Sequence, residues 1–386
     1  MNTKRILLTL MLTLSVVLAA CGPAATPAPP DPATIIQRYY EAVNKKELDT
    51  AMTFIADEAV FVNPYGKFTG KEDVRASLQL VINDGVTFDL SNFRDTNGRV
   101  VYDYKVLVNG EVVEVGNDGL NIVRDGKITL DSTERWEWMA YIHNVTFTAQ
   151  DSGFGGPDSI PAGWTEIVLT NDSQGVHHIQ LVKLDGGKTP DDLKAALEAD
   201  PENFPAWAIA YGGPNAPDPS GSTSAIVNLD AGNYALISVI PNAEGVPGFL
   251  NGMIKALTVT EASGAAMLEP QSDLSVDFTE FALGVSGSIA AGPHVIRFNN
   301  LGAQVHEAYF VKLNEGVTAE AYLNTPPTEP PPAVSLGGIT GIAPGAHQYI
   351  NVTLEPGHYA LFCFFPDPAS HAPHFVLGMV QEFTVK

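Results

Sequence analysis

The chain has 386 residues, which suits two or three domains. Hydrophobic residues make up 45%, enough for packed cores, while 35 Gly, 28 Pro and only 17% charged residues favour a turn-rich β protein over helical bundles. A net charge of −23 argues against nucleic-acid binding, which needs Lys and Arg to displace counterions. Two cysteines exclude a disulfide framework and any four-cysteine metal site.

Lys4 and Arg5 precede an apolar run from Ile6 to Ala20. It is shorter than the about 20 residues of a membrane span and has the length of a signal-peptide core. It ends Leu18-Ala19-Ala20-Cys21, which resembles a bacterial lipobox. The resemblance implies cleavage of residues 1–20 and lipidation of Cys21. The alternative is an ordinary secretory signal with an incidental cysteine. Loss of Lys4 and Arg5 would make the mature chain more negative by two charges, and Cys363 would be its one free thiol. The expected location is the extracytoplasmic face of a membrane, held by lipid, with no transmembrane helix. Residues 21–33 carry five prolines and read as a stiff tether.

Thr34–Ala56 reads as helix, with Ile35, Ile36, Tyr39, Tyr40 and Val43 at helical spacing, a break at Asn44-Lys45-Lys46, and Thr34 as the cap. A strand-like AVFVNP and a helical Lys71–Ile82 follow. Strands are then predicted at Val86–Phe93, Arg99–Val108, Glu111–Val123 and Ile128–Met139, with Asn109-Gly110 and Asp125-Gly126 as hairpin turns. The run IIQRYYEAVNKKELDTAMTFIADEAVFVNPYGKFTGKEDVRASL, with DGLNIVRDGKI, resembles the nuclear transport factor 2-like superfamily, polyketide-cyclase-like proteins included. The resemblance implies an α+β cone over residues 34–140, with a cavity for a small molecule. No His or Cys occurs between Gly22 and Ile142, so acid–base work there would fall to Asp57, Tyr104 or Asp118. Each reads more simply as a solvated carboxylate or a packed tyrosine, and fold alone supplies no activity.

The remainder contains an internal repeat. Residues 160–184 align without gaps to 289–313, placing His177 on His306. LDAGNYALISVIP (229–241) aligns to LEPGHYALFCFFP (354–366), and both copies reach Gly-Met at Gly252-Met253 and Gly378-Met379. Two β domains are expected, at 142–262 and 273–386, joined by Glu261–Asp273. Alternating apolar runs between turn residues suit β-sandwiches. Thr189–Ala199 reads as a helix inserted in the first copy. The matching stretch of the second copy becomes TPPTEPPP (325–332), which must be extended or looped.

Six of the nine histidines lie after residue 272: His294, His306, His347, His358, His371 and His374. A thiol, imidazoles and a thioether in one domain suit copper. His306, followed by Cys363, His374 and Met379 on CFFPDPASHAPHFVLGM, resembles the cupredoxin family of blue-copper proteins. The resemblance implies one type 1 copper ion held by His306, Cys363 and His374, with Met379 as a weak axial ligand. Ten residues separate Cys363 from His374, longer than in small electron-transfer cupredoxins and closer to copper nitrite reductases. His371 competes as a ligand. The first copy keeps His177 and Met253 but has Ser238 and Gly248 at the Cys363 and His374 positions, so it should lack the site. The alternative for Cys363 is a buried strand residue, and for His374 an exposed loop residue. His143, His178, His294, His347 and His358 read as surface residues.

The fold class expected is thus an α+β cone followed by two all-β cupredoxin-like sandwiches. The function expected is an electron carrier or binding protein rather than an enzyme. Its partners would be the membrane, a redox protein with a basic surface, and a small molecule in the cone, but no nucleic acid. The competing reading is a metal-free ligand-binding or scaffold lipoprotein. No P-loop, dinucleotide fingerprint, HExxH or GxSxG occurs.

Overall fold

A computed structural model describes residues 30–386 apart from 64–65, 202, 263–266, 288 and 327–329. Residues 1–29, on which the expected signal peptide, the lipidation of Cys21 and most of the expected tether fall, lie outside the described residues, as do parts of the 261–273 and 325–332 segments. Among the described residues no helix is long and apolar enough to cross a membrane.

Helix Pro32–Asn44 turns Ile35, Ile36, Tyr39, Tyr40 and Val43 inward, as their spacing requires. Asp31, not Thr34, caps it: Asp31 Oδ1 accepts from Thr34 N at 3.0 Å. The expected long helix ends early. After the short helix Leu48–Met52 the chain is already a strand from Ile55 to Asn63. Helix Lys71–Asn83 buries Val74, Leu78 and Ile82 against the same core. These helices lie in the curve of a six-stranded sheet ordered Gly66–Thr69, Ile55–Asn63, Lys127–Thr133, Glu111–Arg124, Arg99–Val108, Val86–Thr96. The strand expected over Ile128–Met139 stops at Thr133, and Glu137–Ala140 forms a 3-10 turn.

The rest is mostly β-sheet. The repeats share one eight-stranded sheet, four strands from each, joined edge to edge where Ile226 pairs with Tyr349. Each repeat adds a second sheet, five-stranded in the first and four-stranded in the second, and one apolar core runs through both. Polar bonds stitch the junction: Thr340 N donates to Gly213 O (2.9 Å), Gly212 N to Gly341 O (2.9 Å) and Gln180 Nε2 to Gly341 O (2.9 Å). The outer face of the cone sheet docks on the shared sheet, packing Val62, Leu120, Leu130, Trp138 and Met139 against Trp164, Ile226, Val295 and Tyr349. Helix Pro190–Ala199 starts in a capping box of Thr189 and Asp192. The second repeat places the shorter helix Ala319–Leu323 before its proline run.

Two histidines read as surface are buried. His294 is clamped between Asp273 (2.6 Å) and the Ala290 carbonyl (2.7 Å). His178 Nε2 accepts from Val239 N at 3.2 Å. Both rings have hydrogen-bond partners that offset their lost hydration, and Asp273 and Val239 are distant in sequence.

Candidate metal centre and ligand cavity

His306 opens strand His306–Leu313. Cys363 follows strand Gly357–Phe362, His374 sits on the loop beyond it, and Met379 precedes strand Val380–Val385. The loop is tied into one rigid frame. Cys363 N donates to Met379 O (3.2 Å), Phe375 N to Cys363 O (2.8 Å), Met379 N to His374 O (2.9 Å) and His374 N to Phe365 O (2.8 Å). Asp367 closes the tip by accepting from Ser370 N (2.8 Å) and Ser370 Oγ (2.7 Å). This frame brings a ligating atom from each of His306, Cys363 and His374 within 4.8 Å of the others. All three residues, and Met379 in the same core, have no exposed surface. His374 is therefore not an exposed loop residue. His371 is exposed and lies outside the converging group.

The bonds around the group fix its protonation pattern. Gln304 Oε1 accepts from His374 Nε2 (2.9 Å), and Gln304 Nε2 donates to Asp367 Oδ1 (3.0 Å). A proton held on Nε2 leaves His374 Nδ1 as a bare lone pair. That lone pair faces His306 Nδ1 at 3.1 Å and Cys363 Sγ at 3.4 Å. Among the described residues His306 Nε2 is buried with no hydrogen-bond partner, and Glu280 Oε1 lies 3.9 Å from it. Burial and the neighbouring His374 ring push His306 down to about 4, and burial also lowers His374. Burial raises the Cys363 thiol far above its usual range, although Glu307 N lies 3.5 Å from Sγ. Without a metal the pocket thus holds a neutral thiol and two neutral imidazoles. One thiol, two neutral imidazoles and a thioether in the same core fit a soft transition metal.

The first repeat copies the frame bond for bond. Ser238 N donates to Met253 O (3.1 Å), Phe249 N to Ser238 O (2.8 Å), Met253 N to Gly248 O (2.9 Å) and Gly248 N to Ile240 O (3.1 Å). Ser238 therefore occupies the Cys363 position and Gly248 that of His374. Its Ser238 Oγ and His177 Nδ1 are buried without hydrogen-bond partners. The four framing bonds correspond, while the side chains differ and the loop of the first repeat is one residue shorter.

A second candidate site fills the cone, a cavity of about 640 Å³. Tyr104 and Asp118 line it, whereas Asp57 is exposed outside it and pairs with Lys71 at 3.0 Å. The chemical centre is a residue the sequence did not single out. Asp131 accepts from Tyr40 Oη (3.1 Å to each oxygen), Tyr40 Oη lies 3.2 Å from Tyr102 Oη, and Tyr102 donates to Asn121 Oδ1 (2.9 Å). Burial outweighs these bonds and pushes Asp131 up to about 7. A carboxyl titrating there can hold or release a proton near neutrality.

The sequence profile of the SnoaL-like domain matches residues 36–130. Residues 36–130 are a SnoaL-like domain. No curated protein matches the chain. Among solved structures, an NTF2-like protein of unknown function from Cytophaga hutchinsonii is 16% identical, over 28% of this chain and 91% of its own, with a TM-score of 0.25. An uncharacterized cystatin fold protein from Novosphingobium aromaticivorans is 17% identical, over 28% and 99%, with a TM-score of 0.25. An LEH-like epoxide hydrolase from M. tuberculosis is 17% identical, over 26% and 75%, with a TM-score of 0.23. The matched residues 36–130 lie in the cone and include none of the two β repeats.

Proposed function

We propose that the chain is a lipid-anchored extracytoplasmic electron carrier whose second β repeat is cupredoxin-like and holds one type 1 copper ion. His306, Cys363 and His374 would be the ligands, with Met379 axial and Cys21 the lipidated anchor. The observation that carries this reading is the convergence of His306, Cys363 and His374 in a fully buried pocket. The first repeat supports it, because the same frame there lacks the thiol and the second imidazole. A bound copper ion would supply a one-electron couple. The chain's own groups act around it: Gln304 holds the His374 tautomer, the loop frame fixes Cys363 and His374, and Phe281 covers the His374 ring with centroids 5.3 Å apart. The acidic chain would meet a basic redox partner, an encounter that weakens with salt.

The test is titration of the chain lacking residues 1–21 with Cu(II), followed by visible absorption. An intense thiolate-to-metal band saturating at one equivalent, absent from Cys363→Ser, is expected. A colourless protein whose Cys363 stays fully titratable by a thiol reagent would sink the reading. The cone carries a second reading, a small-molecule site, on the strength of its enclosed volume and the Asp131–Tyr40 pair. Ligand-induced quenching of Trp136, which lines that cavity, tests it.

A further inference from the structure

Another cavity, of about 580 Å³, lies between the two β repeats, lined by residues of both. Its walls are made by structurally equivalent residues from both copies. Val239, Ile240 and Pro241 follow Ser238, and Phe364, Phe365 and Pro366 follow Cys363. The repeat therefore presents the same stretch of chain twice to one shared space. The walls are apolar and aromatic, with Tyr309, Tyr322 and Phe204 completing them. The volume is within the range of small-molecule sites, about 300–1,000 Å³.

The floor is polar, and here the copies diverge. His178 of the first repeat and Glu307 of the second occupy the same aligned position. Each accepts from the backbone N–H of the residue after the Ser238 or Cys363 position: His178 Nε2 from Val239 N (3.2 Å), Glu307 Oε1 from Phe364 N (3.0 Å). Asn215 sits between them, donating to Glu307 Oε2 at 3.3 Å and also reaching His178. All three are more than nine-tenths buried and line the cavity. A carboxylate offers about four acceptor positions, and among the described residues two donors reach Glu307. Among the described residues Asp218 is the other charged one lining the space, and no Lys or Arg is among them.

We infer that this cavity is a binding site for a hydrophobic aromatic amine, its ring among the aromatic walls and its ammonium group on Glu307. An apolar pocket with unfilled carboxylate acceptors, no cationic wall residue and several aromatic faces favours such a cation over a neutral or anionic molecule of the same shape. The inference does not depend on copper, and the metal-free chain suffices to test it.

Isothermal titration at about pH 8 with tryptamine, tryptophol and indole acetate compares a cation, a neutral molecule and an anion of one shape. Tryptamine is expected to bind with a dissociation constant below about 1 mM, at least about tenfold tighter than tryptophol, with indole acetate weakest. Glu307→Gln should weaken tryptamine about tenfold or more while leaving tryptophol within about twofold. Val176→Trp, at an exposed rim position that tolerates size, should block all binding without disturbing the fold. Failure of tryptamine to bind, equal binding of the anion, or binding indifferent to Val176→Trp would each overturn the assignment.

Discussion

Substituting Asp131 by asparagine should flatten the fall of the cone's stability with rising pH. The folded chain holds the Asp131 proton to about 7, whereas an exposed Asp gives it up near 3.8. Between those values the folded state binds more protons than the unfolded state. Stability therefore falls as pH rises through that window, and the loss is complete above about 7. At about 1.4 kcal/mol per pH unit, the ionised carboxylate costs the fold on the order of 4 kcal/mol at pH 8. That is an upper value, because the carboxyl still faces the cavity. An asparagine at this position keeps an acceptor for Tyr40 Oη and never ionises. The Asp131→Asn variant should match the parent near pH 4, gain stability steadily above it, and exceed the parent by up to about 4 kcal/mol at pH 8. Burial lifts Glu307 to about 7 in the same way, so the parent profile contains both groups and the variant should still slope. Urea unfolding of the full chain, followed by tryptophan fluorescence from pH 4 to 8, reads the difference. Parallel profiles for parent and variant would show that Asp131 is solvated like any surface carboxylate.

Three further outcomes follow from the β repeats. Gln304→Ala frees both His374 Nε2 and Asp367 Oδ1 from their tie, so Cu(II) affinity should fall about 10–100-fold while metal-free stability changes little, as read by competition with a chelator. Gly248→His should not simply rebuild the site of the first repeat. Its Cβ would meet the Ser238 carbonyl at 2.9 Å and the Met253 Cβ at 3.3 Å, so a loss of about 1–3 kcal/mol in urea unfolding is expected. Trp138→Ala removes a buried ring from the seam between the cone and the shared sheet and should cost about 3–5 kcal/mol, seen as earlier unfolding in the same assay.

The repeat was legible because it preserves spacing, and spacing carries the backbone frame. Alignment alone placed Ser238 on Cys363 and Gly248 on His374, and the hydrogen bonds of both loops match those pairings. Asp131 was not legible. Strict alternation along Lys127–Thr133 would put Ile128 and Leu130 on one face and Asp131 on the other. A bulge breaks that rule: Val123 pairs with Ile128 but Ile122 pairs with Leu130, leaving Thr129 extra. Ile128 then enters the cone core, Leu130 packs on the shared sheet, and Asp131 faces the cavity. The His178–Glu307 floor was hidden for another reason. Its members are adjacent only once two domains dock, and no local pattern encodes that contact. Buried His294 likewise depends on Asp273, which is distant along the chain.

The shared eight-stranded sheet has a consequence for aggregation. Two separate β domains would leave strands Ser222–Leu229 and His347–Leu354 as open edges, each offering unpaired backbone groups to other chains. Joined where Ile226 pairs with Tyr349, the two strands cover part of each other's edge. The repeat without the Cys and second His thus has a structural task, since it covers part of the open border of the repeat that has them. A chain cut between the repeats would expose that border and would pair with its own copies.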